Sequence, residues 1–132
     1  NYYDHPRHSA YLVENARLFG LTHREQMLCA VMAGWHNGLS MKYVRNRMYS
    51  EFLDEGDWMR ARKLSLLLAV AEALDTTQMQ LVRRVKAGFD LENGLALLEL
   101  ELREAAVIEQ ENVNKLKKAF KKEFNLELTV MA

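Results

Sequence analysis

The chain has 132 residues, of which 49% are apolar, enough for one packed domain or for a small domain with an appended subdomain. Its 18 Lys and Arg balance 18 Asp and Glu. That balance excludes the global positive field that draws nucleic acid or an anionic membrane, so polyanion binding needs a local patch. A single cysteine, Cys29, rules out an internal disulfide and, with no secretory signal in view, predicts a cytoplasmic protein. The longest apolar run, Leu64–Ala71, is interrupted by Ser65 and is too short to span a bilayer. The chain opens on Asn1 rather than Met and reaches a motif almost at once, which predicts a piece of a longer protein.

The first half reads as helical. Pro6 suits a first helical position with Asp4 or His5 as cap, Gly20 stands where a C′ glycine belongs, and Tyr11, Leu12, Ala16 and Phe19 form the expected apolar face. Thr22-His23-Arg24-Glu25 is a capping box, in which Thr22 and Glu25 satisfy each other's exposed backbone amides. The helix it opens carries Leu28, Val31, Met32 and Trp35 on one stripe and is expected to stop near Gly38. Ser40 caps a third predicted helix with Met41, Val44, Met48 and Phe52 on one side. Met27, Met32, Met41 and Met48 read as core filler. Asp54-Glu55-Gly56-Asp57 is the next break. A long helix from about Trp58 to Asp75 follows, so apolar around KLSLLLAVAEAL that it is expected to be packed by neighbours on several sides.

After Thr76-Thr77 the period changes. QLVRRVKAGF and LALLELEL read as strands joined by the turn DLENG, since Ala96, Leu98, Leu100 and Leu102 alternate with Leu97, Glu99, Glu101 and Arg103. Residues 105–124 read as one helix with Val113, Leu116, Phe120 and Phe124 inward, and LELTVM reads as a closing strand. The fold expected is mainly α with a small α+β tail: a helical domain over residues 1–77, then a ββαβ subdomain over residues 78–132.

No glycine-rich phosphate loop, zinc-spaced cysteine pair or nucleophile elbow is present in the sequence. The polar residues left at helix ends are His5, His8, His36, Glu72 and Asp75. Imidazole and carboxylate are suitable ligands for a divalent metal, and Glu72 and Asp75 are three apart on one face of an apolar helix. The same residues serve equally as ordinary hydrogen-bonding groups at helix termini. Both readings stand on the sequence alone.

HPRHSAYLVENARLFGLTHREQMLCAVMAGWHN resembles the C-terminal region of the Ppx/GppA family of exopolyphosphatases and guanosine-pentaphosphate phosphatases. The likeness is carried by His5 to Asn15, by Gly20-Leu21-Thr22 with Glu25, and by Trp35-His36. The later LSLLLAVAEALDTT resembles that family's leucine-rich segment, with Ala71-Glu72-Ala73-Leu74-Asp75 on its A-D-x-L-D run. The resemblance implies a partial HD-like helical bundle in residues 1–77, with His5, His36 and Glu72 at inherited metal-ligand positions, Glu72 standing where the family has Asp. The HD-type ligands that complete such a site would lie upstream of Asn1. It also implies that hydrolysis belongs to an actin-like N-terminal module of a parent chain, so this piece is expected to be inactive alone and to need no cofactor. A divalent metal would belong to the full-length protein.

The function expected from these readings is an accessory domain that helps bind polyphosphate or guanosine pentaphosphate and builds a homodimer, with neither DNA nor membrane as partner. Candidate polyanion contacts are Arg7, His8, Arg45, Arg60, Arg62 and Lys63, with Lys42 and Arg47 nearby. The last helix adds Lys115, Lys118 and Lys122 on one face and Lys117 and Lys121 beside them, a set that also reads as a solvated surface. A metal-dependent HD-type phosphohydrolase site completed by upstream residues is an alternative. A purely structural role in packing against the catalytic module is another.

Overall fold

Thr22 opens a helix as its neighbours dictate: its hydroxyl accepts the Glu25 amide at 3.1 Å, and the Thr22 amide donates to Glu25 Oε2 at 2.8 Å. In the computed structural model, which describes residues 5–36 and 49–132, this is the start of α2 (His23–Trp35). Before it runs α1 (His5–Asn15), and after it α3 (Tyr49–Phe52) and α4 (Glu55–Ala73). A hairpin of β1 (Val82–Asp90) and β2 (Leu95–Leu102) follows, then α5 (Val107–Lys115), α6 (Lys117–Phe124) and β3 (Glu127–Met131). The chain is mainly α-helical with a small α+β C-terminal part. It divides into two compact units, Asn1–Leu68 and Ala69–Ala132. The third predicted helix, with its cap Ser40 and with Met41, Val44 and Met48, lies outside the described residues, as do Lys42, Arg45 and Arg47.

In the first unit, Met27, Ala30, Val31, Leu53, Trp58 and Ala61 form the core, and Val13, Leu28, Met32 and Trp35 pack against it. Trp35 meets Trp58 edge to face, with ring centroids 6.4 Å apart. The first helix differs from its expected form. It stops at Asn15 rather than running to Gly20, because Gln26 Nε2 donates to the carbonyls of Val13 at 2.8 Å and Ala16 at 2.7 Å, satisfying acceptors that a longer helix would have used. Gly20, at φ 85°, is therefore a turn residue beyond the helix. Tyr11 and Leu12 are exposed, Phe19 is 96% exposed, and Ala10 takes the buried position. On α4, Leu64, Leu67 and Leu68 are exposed as well, so that helix is not enclosed all round by the described residues.

In the second unit the sheet order is β1-β2-β3. Asn93 makes the hairpin turn: its amide donates to Asp90 Oδ1 at 3.1 Å and its side chain to Asp90 Oδ2 at 2.7 Å. Gly94 completes the turn at φ 67°, a conformation that costs glycine nothing. The β1–β2 pair is antiparallel, with Val85, Ala87 and Phe89 opposite Leu100, Leu98 and Ala96. β3 joins β2 in parallel, with Leu128 opposite Ala96 and Val130 opposite Leu98. The helix expected over 105–124 is two helices. Leu116, at φ −90° and ψ −7°, closes α5 with a tight turn from its amide to the Val113 carbonyl, and its own carbonyl starts α6 by accepting from Phe120. The inward stripe survives the break: Val113 and Phe120 are buried, as are Ala96, Leu100, Ala106 and Leu128 in the same unit, and Phe120 stacks on Phe124 at 4.6 Å.

Candidate functional site

Among the described residues, two places concentrate charged side chains, and they differ in how far those charges are already satisfied. The first lies in the first unit, where the N-terminal ends of α2 and α4 are joined. Asp54 and Asp57 form a second reciprocal cap: the Asp57 amide donates to Asp54 Oδ1 at 2.8 Å, and the Asp54 amide donates to Asp57 Oδ2 at 3.1 Å. The Asp54-Glu55-Gly56-Asp57 stretch is thus a helix start as well as a break. Arg24, in the first turn of α2, reaches across to it. Its Nε donates to Asp57 Oδ2 at 2.8 Å, and its Nη2 lies 2.6 Å from the same oxygen and 3.1 Å from Asp54 Oδ2. Arg60, one turn along α4, donates to Asp57 Oδ1 at 2.7 Å.

Asp57 is 3% exposed, and its charge is held by hydrogen bonds to both carboxylate oxygens. The Arg60 hydrogen bond is the largest influence on its carboxyl. Burial opposes it, but Arg24 and the Asp54 region add to it, and the carboxyl is held down to about 2. The hydrogen bond to Asp57 likewise holds Arg24 more firmly in its charged form. An open cleft of about 580 Å³ lies here, lined by Thr22, Arg24, Glu25, Leu28, Asp57 and Arg60. Its two arginines are ion-paired with Asp54 and Asp57, so carboxylates at the cleft already neutralise its cations. The arrangement locks two helix starts together and contains no nucleophile–base pair.

The second concentration is on α5 and α6. Phe120 is buried, and helical spacing sets Lys118 and Lys122 opposite it on the solvent side, with Lys121 beside them. Lys115, Lys118, Lys121 and Lys122 are exposed and Lys117 is half-buried. Among the described residues, none of these five ammonium groups has an ion pair or a hydrogen bond from its side chain.

The residues singled out from the sequence fall as follows. His5 lies in α1, its side chain outside the described residues, and Arg7 and His8 are exposed on the same helix. His36 caps the end of α2 half-buried, its Nδ1–H donating to the Ala33 carbonyl at 2.6 Å. Glu72 is exposed in the last turn of α4, and Asp75, also exposed, accepts the Gln80 amide at 3.0 Å. Neither carboxylate carries the burial cost that made the pair noteworthy in the sequence. Arg60 is committed to Asp57, and Arg62 and Lys63 are half-buried on α4. Among the described residues, no three His, Cys, Asp or Glu side chains gather as a metal site.

Sequence reasoning passed over two carboxylates. Asp57 carried a signal in its spacing from Asp54, three residues apart as in a capping box. Glu109 carried none: it is 1% exposed, and its Oε1 accepts both the Thr77 amide at 3.1 Å and the Thr77 hydroxyl at 2.5 Å. The Thr77 hydroxyl is the main influence that lowers its carboxyl below the ordinary range, against the opposing effect of burial. This bond ties the segment after α4 to the first turn of α5. No helix among the described residues is long and apolar enough to cross a membrane. Comparison of the chain with protein families, curated proteins and solved structures gave no match.

Proposed function

We propose that the chain is an accessory domain of a Ppx/GppA-type exopolyphosphatase, supplying a polyphosphate-binding surface and a subunit contact, with hydrolysis carried out by an actin-like N-terminal module. The likeness of residues 5–36 and 64–77 to that family's C-terminal region supports the family. The observation that carries the binding role is the lysine stripe of α5 and α6. Like charges at i, i+4, such as Lys118 with Lys122 and Lys117 with Lys121, cost an isolated helix about 0.2–0.5 kcal/mol per pair. The helix macrodipole offsets this for Lys115 in the last turn of α5 and for Lys121 and Lys122 in the last turn of α6, but not for Lys117 and Lys118 in the first turn of α6. A linear run of phosphates supplies the missing negative charge along the whole stripe, each ammonium acting as a point-charge partner. By contrast, Arg60 has its anion within the protein.

The test is titration of the chain with long-chain polyphosphate, and in a second arm with guanosine pentaphosphate, at two salt concentrations. With five cations engaged, log K should fall against log salt with a slope of about −3.5, taking roughly 0.7 per contact as for single-stranded polyanions. The double variant Lys118→Ala/Lys122→Ala should reduce that slope by about 1.4. No binding at low salt would remove polyanion recognition from the reading.

A further inference from the structure

We infer that β1 is a dimerisation strand: the free edge of β1 pairs antiparallel with β1 of a second copy, Ala87 opposite Ala87, to make one continuous six-stranded sheet. This deepens the subunit-contact half of the proposed function and rests on it, but is independent of polyphosphate. It begins from an edge. Among the described residues, β1 is hydrogen-bonded to a strand on one side only, and its nine residues leave a row of unpaired amides and carbonyls on the other.

The two faces of that strand are unequal. Residues directly opposite in an antiparallel pair share a face, so Val85, Ala87 and Phe89 continue the apolar face formed by Leu100, Leu98 and Ala96. That face is buried on the neighbouring strands at Ala96, Leu100 and Leu128. On β1 it is open, with Val85 41% and Phe89 69% exposed. The other face of β1 carries Arg84, Lys86 and Asp90.

The pattern of β1 is complementary to itself. With the two-fold axis at Ala87, Val85 lies opposite Phe89 of the second copy and Arg84 opposite its Asp90, and symmetry repeats each pair. Lys86 meets Gly88, where open space surrounds the position a side chain would take. Asn93 donates two hydrogen bonds to Asp90, which keeps that carboxyl ionised and ready for a cationic partner. Seven residues, Arg84–Asp90, pair in this register without apposing like charges. A shift of the axis to Lys86 sets two lysines against each other, and a shift to Gly88 shortens the paired stretch within β1 to five residues. The basic residues that would repel a strand of similar sequence in other registers find an acidic or empty position in this one, as an isologous contact requires.

The experiment uses the whole chain with Cys29→Ala as background. Ala87→Cys places two thiols directly opposite, at the Cα separation of roughly 4.5–5.5 Å expected of paired strands, within disulfide range. Lys86→Cys is the control, since the inferred register separates its two copies by about 8 Å. Mild oxidation should cross-link the Ala87→Cys variant at least tenfold faster than the Lys86→Cys variant. Sedimentation velocity should show a dimer that Phe89→Lys weakens at least tenfold. Phe89 is exposed in the single chain, and circular dichroism on that variant verifies the fold. A dimer in which the two cysteine variants cross-link equally, or which Phe89→Lys leaves unchanged, overturns the β1 interface while keeping subunit pairing. A monomer at all concentrations overturns both.

Discussion

Phe120 and Phe89 are the same residue in opposite surroundings, 4% and 69% exposed in the second unit, and their truncation separates what burial contributes from what residue type contributes. Phe120→Ala empties a site bounded by the core of that unit and removes the stack on Phe124, a change that costs about 3–5 kcal/mol in a packed interior. The 64 residues Ala69–Ala132, at about 0.05–0.15 kcal/mol each, have a total stability of roughly 3–10 kcal/mol. The loss is therefore comparable with the whole stability of the unit, whereas Phe89→Ala, measured at a concentration where the chain is monomeric, should stay within about 0.5 kcal/mol of wild type. The assay follows from where the chromophores lie. Both tryptophans and all five tyrosines fall within residues 1–68, and residues 69–132 hold only phenylalanines. Urea unfolding followed by tryptophan fluorescence reports the first unit, and far-ultraviolet circular dichroism reports both. Phe120→Ala should introduce an early dichroism transition and leave the fluorescence midpoint in place. Coincident shifts in both signals would refute independent unfolding of the two units, and no shift in either would refute the energetic weight given to Phe120.

Two further predictions concern the first unit. Because the Asp57 carboxyl is lowered from 3.8 to about 2, its stabilising contribution is complete above pH 3.8 and is lost as the pH falls toward 2. Asp57→Asn should therefore lower stability at neutral pH and flatten the acid limb, read by tryptophan fluorescence between pH 6 and 2. An unchanged acid limb would show that Arg24 and Arg60 do not hold that charge. Thr22→Ala removes the acceptor for the Glu25 amide and should cost about 1 kcal/mol in thermal unfolding, while Thr22→Ser should cost much less.

What could be read directly from the sequence was local. The Thr22–Glu25 box, the alternation of LALLELEL and the turn at DLENG each depend on neighbours within a few residues, and all three appear in the structure. The features that escaped were set by distant partners. The end of α1 is fixed by Gln26, ten or more residues away, which overrode the glycine signal at Gly20. Asp57 is defined by Arg24, 33 residues earlier, and Glu109 by Thr77, 32 residues earlier. Spacing revealed the lysines of α5 and α6. That they have no counter-ion among the described residues while Arg60 has one depends on tertiary geometry, which periodicity does not encode.

The parallel pairing of β3 with β2 has a consequence in time. The antiparallel hairpin closes through the four residues 91–94, whereas β3 can reach β2 only after the 24 residues 103–126 have turned back. That longer closure costs about 1.6 kcal/mol more chain entropy by the logarithmic dependence on loop length. The helices α5 and α6, both made of local contacts, shorten the gap if they form first. The sheet is thus expected to assemble in order, hairpin and helices early and β3 last, so that exchange protection at Thr129 and Met131, whose amides face β2, should lag behind that at Leu97 and Glu99, whose amides face β1, during refolding.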